Sequence, residues 1–76
     1  MKLILFTITL LAAESLAARC YCIYGHQKHN EITDEACPNR VKIDHRSNYY
    51  CEWTSSERSW IENCERAQAG ATGDCI

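Results

Sequence analysis

Six cysteines place the strongest constraint on how this chain of 76 residues can fold. They are Cys20, Cys22, Cys37, Cys51, Cys64 and Cys75. An even number at this density is typical of secreted domains that disulfides stabilise. Such cross-links are needed because a short chain buries too little apolar surface to offset the entropy of ordering its backbone. We therefore expect all six cysteines to be paired, and the reduced protein to be unfolded.

The first two cysteines are separated by a single residue. A bond between Cys20 and Cys22 would close a strained small ring, and alternate residues of a strand point to the same face. We therefore expect them to lie side by side and to pair with two different later segments. Cys75 is expected to tie down the end of the chain. The sequence leaves the remaining connectivity open.

The first residues have the pattern of a secretory leader. Met1-Lys2 is followed by an apolar run from Leu3 to Ala13 and by the small residues Ser15 and Ala17. This run is shorter than the roughly 20 apolar residues that a membrane-spanning helix needs. We predict a signal peptide at 1–17, one disulfide-stabilised domain at 18–76, and a secreted, extracellular product with no membrane span.

The charge balance disfavours two classes of partner. The formal net charge is −2, and removing Lys2 and Glu14 with the leader leaves it unchanged. Nucleic acids and anionic membranes select basic surfaces, so we expect neither as a partner. The same charge weakens the prediction of a membrane-active antimicrobial or toxin.

Hydrophobic patterning predicts the elements of the mature domain. Residues 19 to 24 form a strand with apolar groups on both faces, which favours a central position. Thr33 is expected to cap a short helical turn through Cys37 that ends at Pro38. Residues 40 to 45 alternate as a strand, with Val41 and Ile43 pointing inward.

The second half of the domain continues as a hairpin and a helix. The residues 49 to 53 form the next strand, joined to the previous one by the turn at 46–48. Thr54-Ser55-Ser56-Glu57 has a capping-box pattern, and its helix should run to about Ala69, with Gly70 at its end. The fold class is a small α+β domain: about three antiparallel strands packed with one main C-terminal helix.

Three residues are the candidates for contact with a partner. Tyr21 and Tyr50 lie opposite their neighbouring cysteines, so they are expected to form an exposed aromatic patch of the kind that interfaces favour. Arg46, at the tip of the hairpin, begins an Arg46-Ser47 bond that a rigid loop could present to a trypsin-like protease.

Catalytic and metal sites are weaker interpretations. His26 and His29 are spaced to share an ion with Glu31, but histidines in loops are usually just exposed. A metal-free ribonuclease would need residues of the types found here, although any solvated sheet face carries them too: His45, Glu52, Arg40, Arg46 and Glu57. We expect no enzyme activity, no catalytic residue, no metal and no cofactor.

The arrangement resembles the small secreted cysteine-rich proteins of filamentous fungi, from which candidate effectors are drawn. The resemblance rests on the leader followed at once by Cys20-Tyr21-Cys22, on Thr33 to Cys37, on Trp60 to Cys64 and on Gly73-Asp74-Cys75. Similar proteins often have adjacent cysteine pairs where this chain has Cys37-Pro38 and Cys64-Glu65. The resemblance implies that this chain lacks one bridge.

The resemblance implies secretion and action on a host or a competing organism, without transferring any catalytic residue. We expect a monomeric, non-enzymatic effector-like protein that binds a host or extracellular protein or glycan. The alternatives are a small antimicrobial or toxin-like protein and, third, a protease inhibitor acting through the Arg46-Ser47 loop.

Overall fold

The computed structural model describes residues 17 to 76, so the predicted leader lies outside the described residues except for Ala17. The described elements are, in order, β1 (Ala18–Tyr24), β2 (Gln27–Lys28), α1 (Asn30–Ala36), β3 (Lys42–Ile43), β4 (Tyr49–Trp53), α2 (Glu57–Ala67) and β5 (Thr72–Cys75). Between residues 17 and 76, no helix is long and apolar enough to cross a membrane. The predicted α+β class and C-terminal helix are confirmed. The structure extends the helical turn predicted after Thr33 into α1, and it adds the short strands β2 and β5.

β1 is the centre of an antiparallel sheet because it pairs with three other strands. Its start pairs with β4 and its end with β2, while β5 pairs along its opposite edge. β3 pairs with β4 at the far side of the sheet. The central position predicted for this strand is confirmed.

The register divides the sheet into two faces. Cys20 lies opposite Cys51 on one side and Cys75 on the other, and paired residues share a face. Both helices lie on this face, and most of the buried core between the layers is made of cysteines and Trp60. Within the part of the chain that the structure describes, the other face of the sheet carries no helix.

Three disulfides connect the layers and the strands. Cys20–Cys75 joins β1 to β5, and Cys22–Cys64 joins β1 to α2. Cys37–Cys51 joins the end of α1 to β4. The two cysteines of β1 therefore share a face and reach different later segments, as the alternation of the strand predicts. None of the six cysteines is free.

Thr33 has a different role from the predicted helix cap. α1 begins at Asn30, so Thr33 lies inside the helix and is fully buried. Its hydroxyl donates to the main-chain oxygen of His29 at 2.8 Å and accepts from the main-chain nitrogen of Cys22 at 2.9 Å. β4 pairs with β1 up to Cys20 and β2 pairs from Ile23. Thr33 therefore accepts from the Cys22 N–H in the gap between β4 and β2. The sequence pattern could not reveal this role.

The predicted strand at 40–45 is reduced to the two residues of β3. Ile43, expected to point inward, is 62% exposed, while Val41 is half-buried. β3 is the last strand of the sheet on this side, and Asp44 leaves it to accept hydrogen bonds within the following loop. The prediction that Ile43 faces the core is wrong. The apolar–polar alternation extends to Ile43, but Ile43 lies in the end strand of the sheet, where its side chain is not covered.

α2 begins at a helix cap in its own sequence, and its buried face packs on the sheet. The N-cap is Ser56 rather than Thr54, and its hydroxyl accepts from the main-chain nitrogen of Ser59 at 3.2 Å. Trp60 is fully buried against β5, where a Cβ on Gly73 would lie only 2.6 Å from the Trp60 ring. Position 73 therefore requires glycine, since a side chain there would displace the tryptophan.

Candidate binding surface

The candidate binding surface is the face of the sheet that neither α1 nor α2 covers, and we call it the outer face. Residues that pair across neighbouring strands lie on the same face. Arg19 pairs with Glu52, and Lys42 pairs with Tyr50, so these four side chains lie together on the outer face. Lys28 joins them through the pairing of β2 with the end of β1. The side chains of the outer face include Arg19, Tyr21, Lys28, Lys42, Tyr50 and Glu52, and Asp74 of β5 lies across from Tyr21 on the same face.

Tyr21 is the buried centre of the outer face. It is only 3% exposed, so the expectation that it forms part of an exposed aromatic patch is wrong. The Lys28 ammonium lies 4.0 Å from the centre of its ring, and the Tyr50 ring lies alongside at 6.1 Å between centroids. Long side chains of the same face thus cover Tyr21, which the alternation of the strand alone could not predict.

Tyr50 and the charged residues around it form the accessible part of this surface. Tyr50 is half-buried, and the Arg19 guanidinium lies 5.0 Å from the centre of its ring. Lys42 and Glu52 form an ion pair of 3.9 Å, and each side chain is more than half exposed. Cations resting on aromatic rings are held in place by the ring quadrupole, so Arg19 and Lys28 are displayed in a defined arrangement.

Asp44 links the outer face to the hairpin loop. The Tyr21 hydroxyl donates to Asp44 Oδ2 at 3.4 Å, while Asp44 Oδ1 accepts from the main-chain nitrogens of Arg46 and Asn48 at 2.8 and 2.9 Å. The bond from Asn48 is the largest cause that lowers the pKa of Asp44. Burial raises the pKa of Tyr21, and the negative charge of Asp44 adds to the effect.

The hairpin loop holds Arg46 in a rigid but non-extended turn. Ser47 has a φ of 66°, in the left-handed region. Asn30 secures the loop from α1, because its side chain donates to the Ser47 carbonyl at 3.1 Å and accepts from the Tyr49 main-chain nitrogen at 2.8 Å. The Arg46-Ser47 bond is therefore not presented as an extended strand, and this geometry does not favour recognition of the bond as a protease substrate.

The other residues considered for chemistry are not gathered into one site. Glu52 pairs with Lys42 on the outer face, whereas Glu57 lies at the start of α2 and accepts from the main-chain nitrogen of Cys75 at 3.1 Å. His29 Nδ1 is buried without a hydrogen-bond partner. In the described part of the chain, no three histidine, cysteine or acidic side chains form a group that could hold a metal ion.

A groove between the two helices is a feature that the sequence did not indicate. It has a volume of about 390 Å³ and opens widely to solvent. Its walls combine one acid, one base and one amide with small apolar residues: Glu35, Ala36, Pro38, Asn63, Arg66 and Ala67. Asn63 donates to the Ala36 carbonyl at 3.3 Å, so part of the polar lining is used to join the helices.

Comparison with known proteins assigns no family to this fold. No protein-family model matches the chain, and no significant match was found among curated proteins or solved structures. Function must therefore be inferred from the residues themselves.

Proposed function

We propose that this protein is a secreted, non-enzymatic effector-like protein that binds an extracellular or host partner through its outer face. The observation that carries the proposal is the pair of cation–aromatic contacts, Arg19 on Tyr50 and Lys28 on Tyr21. Arginine and tyrosine are the residues that most often dominate binding energy at protein interfaces. Here Arg19 and Tyr50 lie on the face of the sheet that neither α1 nor α2 covers.

The rigidity of this surface supports a binding role. β1 carries Arg19 between strands on both sides, and the disulfide from Cys20 to Cys75 ties β1 to β5 next to it. A surface fixed in this way loses little conformational entropy when a partner docks. The predicted leader and three disulfides are in keeping with a protein that works outside the producing cell.

The engaged state of the acidic side chains supports binding rather than catalysis. Asp44 is occupied by two main-chain hydrogen bonds, and Glu52 faces Lys42. Neither carboxylate lines the described groove, which is on the helix side of the sheet. The partner that suits the outer face is a protein or glycan offering acidic or hydrogen-bonding groups to Arg19 and Lys28.

The test compares matched variants of the oxidised protein as bait. Wild type, an Arg19→Ala/Tyr50→Ala double variant and Arg58→Ala are immobilised and exposed to surface and secreted fractions of candidate hosts. Arg58 is an exposed arginine on α2, so Arg58→Ala matches the loss of charge away from the outer face. We expect a partner that wild type and Arg58→Ala retain and the double variant loses. Equal retention by all three proteins would rule out the outer face, and no specific partner would count against the binding role itself.

A further inference from the structure

The groove between α1 and α2 is lined by two opposite charges. Glu35 lies in the wall formed by α1, and Arg66 lies in the wall formed by α2. Both side chains are exposed. Within the part of the chain that the structure describes, neither of them forms an ion pair. The groove therefore offers one anion and one cation to a ligand that enters it.

Glu35 has an unfavourable position in its own helix. It lies in the last turn of α1, where the helix carbonyl groups carry partial negative charge. No basic residue in the last turn of α1 compensates for this repulsion. A ligand cation beside Glu35 would interact favourably with both the carboxylate and the end of the helix. Arg66 has the opposite relationship to its helix, since a base in the last turn of α2 suits the dipole.

The two walls of the groove are held in place by cross-links. In α1, Ala36 is followed directly by Cys37, whose disulfide reaches β4. In α2, Asn63 is followed directly by Cys64, whose disulfide reaches β1. The Asn63 side chain also donates to the Ala36 carbonyl at 3.3 Å, which joins the walls to each other. The groove is thus formed before a ligand arrives, and binding costs little ordering of the protein.

We propose that this groove binds a free α-amino acid with an aliphatic side chain, its ammonium group facing Glu35 and its carboxylate facing Arg66. Such a molecule carries both charges on one carbon atom together with an apolar group, and the groove offers the complement of all three. The apolar contacts come from Ala36, Pro38 and Ala67. A guanidinium group can bind a carboxylate through two parallel hydrogen bonds. The volume of about 390 Å³ is within the range of small-ligand sites.

Nuclear magnetic resonance titration of the isotope-labelled, oxidised protein with leucine tests the proposal. We expect leucine to shift the amide signals of Ala36 and Ala67, with saturation in the millimolar range because an open groove leaves part of the ligand in water. Two compounds that each lack one charge are the matched ligands. Isocaproate has no ammonium group and isoamylamine has no carboxylate, so each should bind more weakly than leucine.

Variants of the two charged residues provide the second arm of the test. Glu35→Gln and Arg66→Gln each remove one charge from the groove, and each should weaken leucine binding about three- to tenfold. Glu65→Gln and Arg58→Gln remove the same charges from exposed positions of α2 that do not line the groove. These two controls should bind leucine with the affinity of the wild type.

Four results would overturn the proposal. The first is the absence of saturable shifts at the groove amides with leucine, and the second is equal weakening by the control variants. The third is binding of isocaproate or isoamylamine as tight as that of leucine, which would indicate a site for a single charge. The fourth is equal binding of N-acetyl-leucine amide, which has neither charge and represents a peptide segment held by apolar contacts alone. The groove lies on the helix side of the sheet, so each result is independent of the partner proposed for the outer face.

Discussion

The indole nitrogen of Trp60 donates a buried hydrogen bond to the main-chain oxygen of Tyr21, at a distance of 2.8 Å. The contact joins α2 to β1 at the residue between Cys20 and Cys22. Replacing Trp60 by Phe keeps an aromatic ring but leaves the Tyr21 carbonyl without this donor. The register also makes Tyr21 and Asp74 a hydrogen-bonded pair, so losing the Trp60 bond alone should cost about 0.5 to 1.5 kcal/mol in the free energy of unfolding, with a further loss from the smaller ring.

Denaturant unfolding of the oxidised protein measures this change. Trp53→Phe is the matched control, since the Trp53 ring is half-buried and its N–H donates to Ser56 and Ser59 nearer the surface. Its loss of stability should be clearly smaller. Equal losses in the two variants would show that ring size, and not the bond to Tyr21, determines the effect.

Thr33 provides a second test of a buried polar contact. Thr33→Val preserves the shape of the side chain but removes the acceptor for the Cys22 N–H. An unsatisfied buried N–H costs about 1 to 3 kcal/mol, which should appear as a lower midpoint of denaturation. Thr33→Ser keeps the hydroxyl and loses only a methyl group, about 0.8 kcal/mol. A valine variant more stable than the serine variant would contradict this role.

Asp44 makes the hairpin loop sensitive to acid. Hydrogen bonds from the loop, that of Asn48 foremost, lower the pKa of Asp44 below its ordinary value of 3.8. Because the folded-state pKa is depressed, the stabilisation from Asp44 is present above pH 3.8 and is lost as the pH falls through the folded value. Nuclear magnetic resonance titration should show the Arg46 and Asn48 amides shifting together below pH 3.8. Asp44→Asn should abolish that shared transition, and its persistence would assign it to another group.

Tyr21 should show the opposite dependence on pH. Burial, followed by the negative charge of Asp44, raises its pKa above the ordinary value of 10.0. A raised folded-state pKa means that the stabilisation is complete below pH 10.0 and is lost as the pH rises through the folded value. Ultraviolet titration should therefore show a late ionisation step above pH 10.0, and Tyr21→Phe should remove that late step. Loss of the late step in Tyr24→Phe instead would contradict the assignment.

The three disulfides should differ in their rate of reduction. Cys75 is half-buried, whereas Cys22, Cys51 and Cys64 are fully buried and Cys37 is 8% exposed. Attack by a thiolate needs access to a sulfur atom, so Cys20–Cys75 should open first under mild reductant. Alkylation of the new thiols and peptide mass mapping identify the bond. Earlier labelling of Cys37 or Cys51 would disprove this order.

The sequence predicted those features that depend on neighbours along the chain. The spacing of Cys20 and Cys22 predicted their separate partners, and the alternation around Cys51 predicted a hairpin strand. Prediction from the sequence failed where contacts with distant segments determine the position of a side chain. Threonine is a common helix cap, but Thr33 lies in the core, where its hydroxyl accepts from the main-chain N–H of Cys22. Tyr21 has the position of an exposed aromatic, but Lys28 folds over its ring.

The two helices begin in different ways, and this has a consequence for the order of folding. α2 has a cap within its own sequence, where Ser56 accepts from Ser59. α1 has no side-chain cap at His29, whose main-chain N–H donates instead to the oxygen of Cys22 in β1. We expect α2 to form before α1 during oxidative folding, because α1 needs β1 in place. The Cys37–Cys51 bond lies at the end of α1, so it should be the last of the three native disulfides to form during oxidative refolding.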